Sequence, residues 1–192
     1  MNLEHITYTG PEFDESSKII KALPDNLVSL LKQINGFVQF GGGLHLRGVC
    51  NEPEWHSIEN MINGPLTLHD AYPSIAVTDV PFAEDCVGDQ FLLRNRSVIK
   101  LYSETGEVEE YRFGLATFLN NVSENPVEFL GMEPLLQLQN EGGGLEPGEL
   151  IHVYPPFCTK EAENGVSPKA VPSSEALLYL ANFSKQISGL GE

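Results

Sequence analysis

Leu27, Leu30, Leu31 and Ile34 recur at i, i+3, i+4 and i+7, the spacing that lines one face of an α-helix. Asp25 or Asn26 can cap that helix after Pro24, and Asn35-Gly36 supplies the left-handed turn that ends one. A shorter helix is predicted upstream, over Asp14 to Leu23, with Ile19, Ile20 and Leu23 on one face. Leu44 to Val49 then alternates Leu44, Leu46 and Gly48 against His45, Arg47 and Val49, the pattern of a half-buried strand. Trp55 to Ile62 is a weaker helical segment closed by Asn63-Gly64-Pro65.

The middle of the chain reads as β-structure. Ile75 to Phe82, Gln90 to Arg94, Val98 to Tyr102 and Glu107 to Tyr111 are short strands. Asn95-Arg96-Ser97 and Glu104-Thr105-Gly106 are connections of hairpin length. Leu115, Phe118, Leu119 and Val122 give a second helical stripe, ended by Asn125-Pro126. The last third is less regular. Gly142-Gly143-Gly144 and Pro147-Gly148 form an acidic loop before a strand at Leu150 to Tyr154, which Pro155-Pro156 halts. A final helix starts at Ser173 or Ser174 and is predicted to bury Ala176, Leu180, Phe183 and Ile187. The sum is an α+β chain, a core over about residues 14–124 carrying a strand–loop–helix extension over 125–192. At 192 residues, one domain is the expectation.

Charge changes the functional picture. Eleven Lys and Arg against 27 Asp and Glu leave a formal charge of −16. Such a chain repels nucleic-acid phosphates and anionic membranes, and it attracts a basic protein. Solubility is the plainer use of the same acids. No apolar stretch is long enough to span a bilayer, and the first ten residues lack a signal-peptide pattern, so a cytoplasmic protein is expected. Three scattered cysteines, Cys50, Cys86 and Cys158, fit buried thiols in a reducing compartment.

Enzymatic motifs are missing: no G-x-S-x-G, no H-E-x-x-H, no phosphate-binding loop and no dinucleotide fingerprint. Gly41-Gly42-Gly43 precedes a strand rather than a helix, so phosphate cradling is not expected there. His45, His56, His69 and His152 lack ligand spacing and read as isolated surface histidines, so no metal or cofactor is expected. The densest run is Phe82 to Phe91. In it Asp89 is expected to accept backbone N–H bonds and shape a turn, with Gly88 at positive φ, while Glu84 and Asp85 face solvent. Trp55, the only tryptophan, reads as a core anchor or a partly exposed contact aromatic.

Leu23-Pro24-Asp25-Asn26-Leu27 leading to Asn35-Gly36 is followed by Phe82-Ala83-Glu84-Asp85 with Gly88-Asp89-Gln90-Phe91. Glu107-Val108 and Ala116-Thr117-Phe118-Leu119 come next. In this order and spacing the motifs resemble the SUKH superfamily over about residues 14–124; Cys86-Val87 departs from its commonest version. The resemblance implies a bent, mostly antiparallel sheet flanked by helices and no enzymatic activity. It also implies one of two binding roles. One is an immunity protein that neutralises a cognate bacterial toxin of nuclease or deaminase type, encoded nearby. The other is a regulatory scaffold of the fungal Smi/Knr type. Expected partner contacts are Trp55, Glu84, Asp85, Glu107, Glu109 and Glu110, meeting a basic protein.

Overall fold

The computed structural model describes residues 4–189. Seven strands form one antiparallel sheet whose spatial order is the chain order: β1 (Ile6–Thr9), β2 (Phe37–Gln39), β3 (Leu44–Leu46), β4 (Val80–Asp85), β5 (Gln90–Arg94), β6 (Ser97–Tyr102) and β7 (Glu107–Glu110). A separate antiparallel pair joins β8 (Glu149–Tyr154) to β9 (Ser167–Pro172). The helices are α1 (Asp25–Leu31), α2 (Ile58–Asn63), α3 (Leu68–Ala71), α4 (Leu115–Glu124), α5 (Pro126–Leu130), α6 (Glu133–Asn140) and α7 (Ser173–Gly189). The fold class is therefore α+β, as the periodicities predict.

Successive residues of a strand point to opposite faces, and here both faces of the central strands are covered. On one side Leu44, Leu46, Phe91 and Leu93 pack with Leu27, Leu31, Phe118 and Leu135. On the other, Leu92, Ile99 and Leu101 meet Tyr72, Leu150, Ala176 and Leu177. All three residues of β3 and all six of β4 are buried. The half-buried strand expected at Leu44 to Val49 is thus enclosed on both sides, with Trp55 and His56 packed against His45 on the second face.

Several boundaries move. The helix expected over Asp14 to Leu23 shrinks to a 3-10 turn at Lys18–Ala22, since Asp14 accepts bonds from the Ser16 N–H and hydroxyl and holds a turn instead. α1 stops at Leu31, four residues before Asn35-Gly36. Gly36 does take φ +75°, and a Cβ there would lie 2.5 Å from the Leu46 carbonyl oxygen. Asn35 is pinned in the core, donating to the Pro11 and Val49 carbonyls at 2.9 Å and accepting from the Val49 N–H at 2.7 Å. Strands β1, β2 and β9 and helices α5 and α6 were not among the expected elements. Three- and four-residue strands leave too short an alternation to read, and Pro126 and Pro134 mark helix starts rather than breaks.

The last helix also turns its face. Ser173, Ala176, Leu177, Ala181 and Ser184 are buried, whereas Leu180, Phe183 and Ile187 are only half-buried. Small residues let α7 approach the sheets closely, and the larger side chains flank that contact.

Candidate functional site

Glu84 and Asp85 end β4, and both are buried, at 2% and 1% exposure. They do not face solvent, which removes them from any partner surface. As neighbours on a strand they point to opposite faces, and each anchors a separate polar network.

Glu84 meets the residues directed to its face from β3, from the chain just after it and from β5. Arg47, fully buried, donates from Nη2 to Glu84 Oε2 at 2.5 Å and to Gln90 Oε1 at 2.8 Å. Gln90 donates from Nε2 to the same Glu84 oxygen at 2.9 Å. His45 Nδ1 lies 2.8 Å from Glu84 Oε1, His45 Nε2 2.9 Å from His56 Nδ1, and His56 Nε2 2.9 Å from the Asn35 carbonyl. With His45 Nδ1 donating to the carboxylate and His56 Nε2 donating to the carbonyl, the two facing ring nitrogens are both acceptors while the rings are neutral, and a hydrogen bond joins them only once the pair takes up a proton. Burial alone would raise the Glu84 pKa, but Arg47, His45 and Gln90 hold it down at about 2. Burial, then the charge on His45, pushes His56 down to about 4, and burial lowers His45 against the pull of Glu84. His45 and His56 are therefore not the isolated surface histidines expected from their spacing.

Asp85 takes the role expected of Asp89. Its Oδ1 accepts the Val87 and Asp89 N–H groups at 3.1 and 3.0 Å and so shapes the turn, in which Gly88 has φ +90°. Asp89 instead reaches outside the turn, accepting from the Ser103 N–H at 2.9 Å. Between them sits Lys100, with Nζ 3.0 Å from Asp85 and 3.2 Å from Asp89. Burial raises Asp85 to about 7 against Lys100, with Asp89 adding to the rise; burial also raises Asp89, and the two carboxylates raise Lys100 despite its burial. A carboxyl near neutrality is a candidate acid–base group. Both Asp85 oxygens, however, are engaged by the turn and the ammonium, so its work is structural.

The remaining expected contacts stay at the surface. Glu107, Glu109 and Glu110 are exposed on β7, an edge of the sheet. Glu109 accepts from the Tyr102 hydroxyl at 2.7 Å, and Glu110 lies 3.7 Å from Arg94. Trp55 is half-buried, with its ring centroid 5.0 Å from those of Tyr8 and His45, and it walls a cleft of about 470 Å³.

A second cleft, of about 330 Å³, lies beside β7 and was not legible beforehand. Tyr102, Phe157 and Tyr179 line it together with Glu104 and Glu107. Its loop is tied down by Glu104, which accepts the Phe157 and Cys158 N–H groups at 3.0 and 2.5 Å. Cys158 and His152 share this cleft, but burial and then Glu104 push the thiol up to about 11, so it stays protonated at neutral pH. Among the described residues no group of three or more His, Cys, Asp or Glu is placed to hold a metal ion, and no helix is long and apolar enough to cross a membrane.

No protein-family model matches this chain, and no curated protein matches it. Among solved structures, Atu4351 from Agrobacterium tumefaciens is similar, with a TM-score of 0.54 at 13% identity. The match covers 93% of this chain and 86% of that one, so the resemblance in fold extends across both the sheet and the C-terminal third.

Two predictions follow from the networks. Glu84→Gln keeps the side-chain volume but leaves Arg47 buried without a counter-charge, and should cost about 3–5 kcal/mol in urea melts. Glu109→Gln, on the exposed edge, should cost less than about 1 kcal/mol in the same assay. The second concerns pH. An unfolded histidine takes its proton near 6.5 and folded His56 near 4, so the stability His56 contributes is complete above pH 6.5 and lost as pH falls towards 4. An NMR titration of the His56 ring should show its midpoint near pH 4, and a midpoint near 6.5 would contradict the buried, neutral assignment.

Proposed function

We propose that this chain is a non-enzymatic protein-binding domain that neutralises a basic bacterial toxin, as the SUKH resemblance suggests. One observation carries the reading: the acids inside the fold are consumed in structure, while those of β7 are exposed at an edge beside an aromatic cleft. Glu107, Glu109 and Glu110 lie on one short strand, well within the ~8 Å over which charge acts at physiological salt. They therefore add into one field that speeds the approach of a basic partner. The contact surface is this strand and its flanking cleft, without Glu84 or Asp85.

The test mixes the chain with the toxin domain encoded beside its gene and follows association at several salt concentrations. A tight complex that extinguishes the toxin's activity is expected. Changing Glu107, Glu109 and Glu110 together to Gln should slow association about tenfold at low salt and alter dissociation far less. An association rate indifferent to both salt and substitution would reduce the acids to a solubility feature. Failure to form any complex would overturn the immunity reading.

A further inference from the structure

We infer that the aromatic cleft beside β7 receives a basic side chain projecting from the partner, an arginine in preference to a lysine. This rests on the protein-binding reading above and names what that surface grips.

The cleft is an apolar groove first. Ile151, Val153, Ala176 and Leu180 form its floor, and Tyr102, Phe157 and Tyr179 are its aromatic walls. Phe157 is 46% exposed, which leaves its ring open to an occupant of the groove. Tyr179 is held in place, edge-on to His152 at 4.6 Å and stacked on Phe183 at 5.8 Å.

Charge selects the occupant. The lining contains three carboxylates, Asp89, Glu104 and Glu107, and no lysine or arginine among the described residues. Asp89 is already offset by Lys100. Glu104 has both oxygens on the loop amides but keeps its charge in the cleft, and Glu107 is exposed and able to pair directly. An anionic or purely apolar side chain would meet these two carboxylates unfavourably. The fold itself displays the same chemistry: Lys100 Nζ lies 5.0 Å from the Tyr102 ring centroid and within 3.2 Å of both its aspartates. Lys100 also lines the adjoining lobe, of about 400 Å³, which shares Asp89, Tyr102 and Phe157 with the first. Its charge disfavours a second cation there, so the incoming group settles on the Glu104 and Glu107 side. Arginine is favoured because its planar, weakly hydrated guanidinium stacks on aromatic faces and forks onto a carboxylate, whereas an ammonium does neither as well.

The probe is a blocked pentapeptide, Gly-Ser-Arg-Ser-Gly, added at millimolar concentration to the ¹⁵N-labelled full chain. Lysine and citrulline versions serve as comparisons. Saturable shifts are expected at the amides of Thr105, Glu107, Phe157 and Cys158, weaker with lysine and lost with the uncharged citrulline. Glu107→Gln should weaken arginine binding about threefold, as loss of an exposed ion pair does. Tyr179→Ala should weaken it by a similar factor, about threefold, through loss of a cation–π face. Equal shifts with citrulline, or shifts spread over the acidic surface but absent from the Phe157 loop, would overturn the inference. The toxin complex separates the two readings. If it forms with unchanged affinity in Tyr179→Ala, the cleft assignment falls and protein binding stands. If no toxin complex forms while the peptide still saturates the cleft, the immunity reading falls and the cleft assignment stands.

Discussion

The fold hangs on the pairing of Glu84 with Arg47. An arginine with no exposed surface is tolerable only beside a fixed counter-charge, and two of its nitrogens, Nε and Nη1, have no hydrogen-bond partner among the described residues. Glu84 and Gln90 therefore supply its polar contacts through Nη2 alone. The same carboxylate orients His45, which meets His56, which reaches the backbone at Asn35. A single charge in β4 thus connects three strands, the 3-10 turn at Glu54–His56 and the loop that follows α1. Asp85, one residue on, does the equivalent work on the opposite face by holding Lys100 and the tight turn into β5.

This division of labour gives the net charge its meaning. Acids placed within the sheet are neutralised by buried cations and contribute little to the external field. Of the eleven basic residues, Arg47 and Lys100 are spent inside against Glu84 and Asp85, so the excess of acids stays with the rest of the chain. The surplus is then expressed by exposed residues such as those of β7, where a row of carboxylates also discourages pairing with another sheet edge. In the proposed reading, steering and protection of the edge come from the same side chains.

The α+β class, α1, α4 and strands β5 and β6 were legible because each element carries a full period of apolar positions, and β7 because turn residues bound it on the side of β6. The positive φ of Gly88 was also readable, since only that residue in the run fits such a turn without strain. The candidate site was half-legible. Glu107, Glu109 and Glu110 follow from strand alternation, but Glu84 and Asp85 were placed outside because their buried partners lie 37 and 15 residues away in sequence. One signal was available: His45 and Arg47 alternate with Leu44 and Leu46 in a short apolar stretch. The Phe157 cleft had no such signal, since β6, β7, β8 and α7 converge on it only through tertiary packing.

Hydrogen–deuterium exchange, measured on the chain alone and with the toxin domain proposed as its partner, addresses the central claim that the buried acids build the fold and the exposed ones bind. The account predicts new protection at β7 and the Phe157 loop, with β3 and β4 already protected in the free chain and unchanged on binding. Protection gained instead across β3 and β4, with β7 exchanging as freely as before, would contradict it.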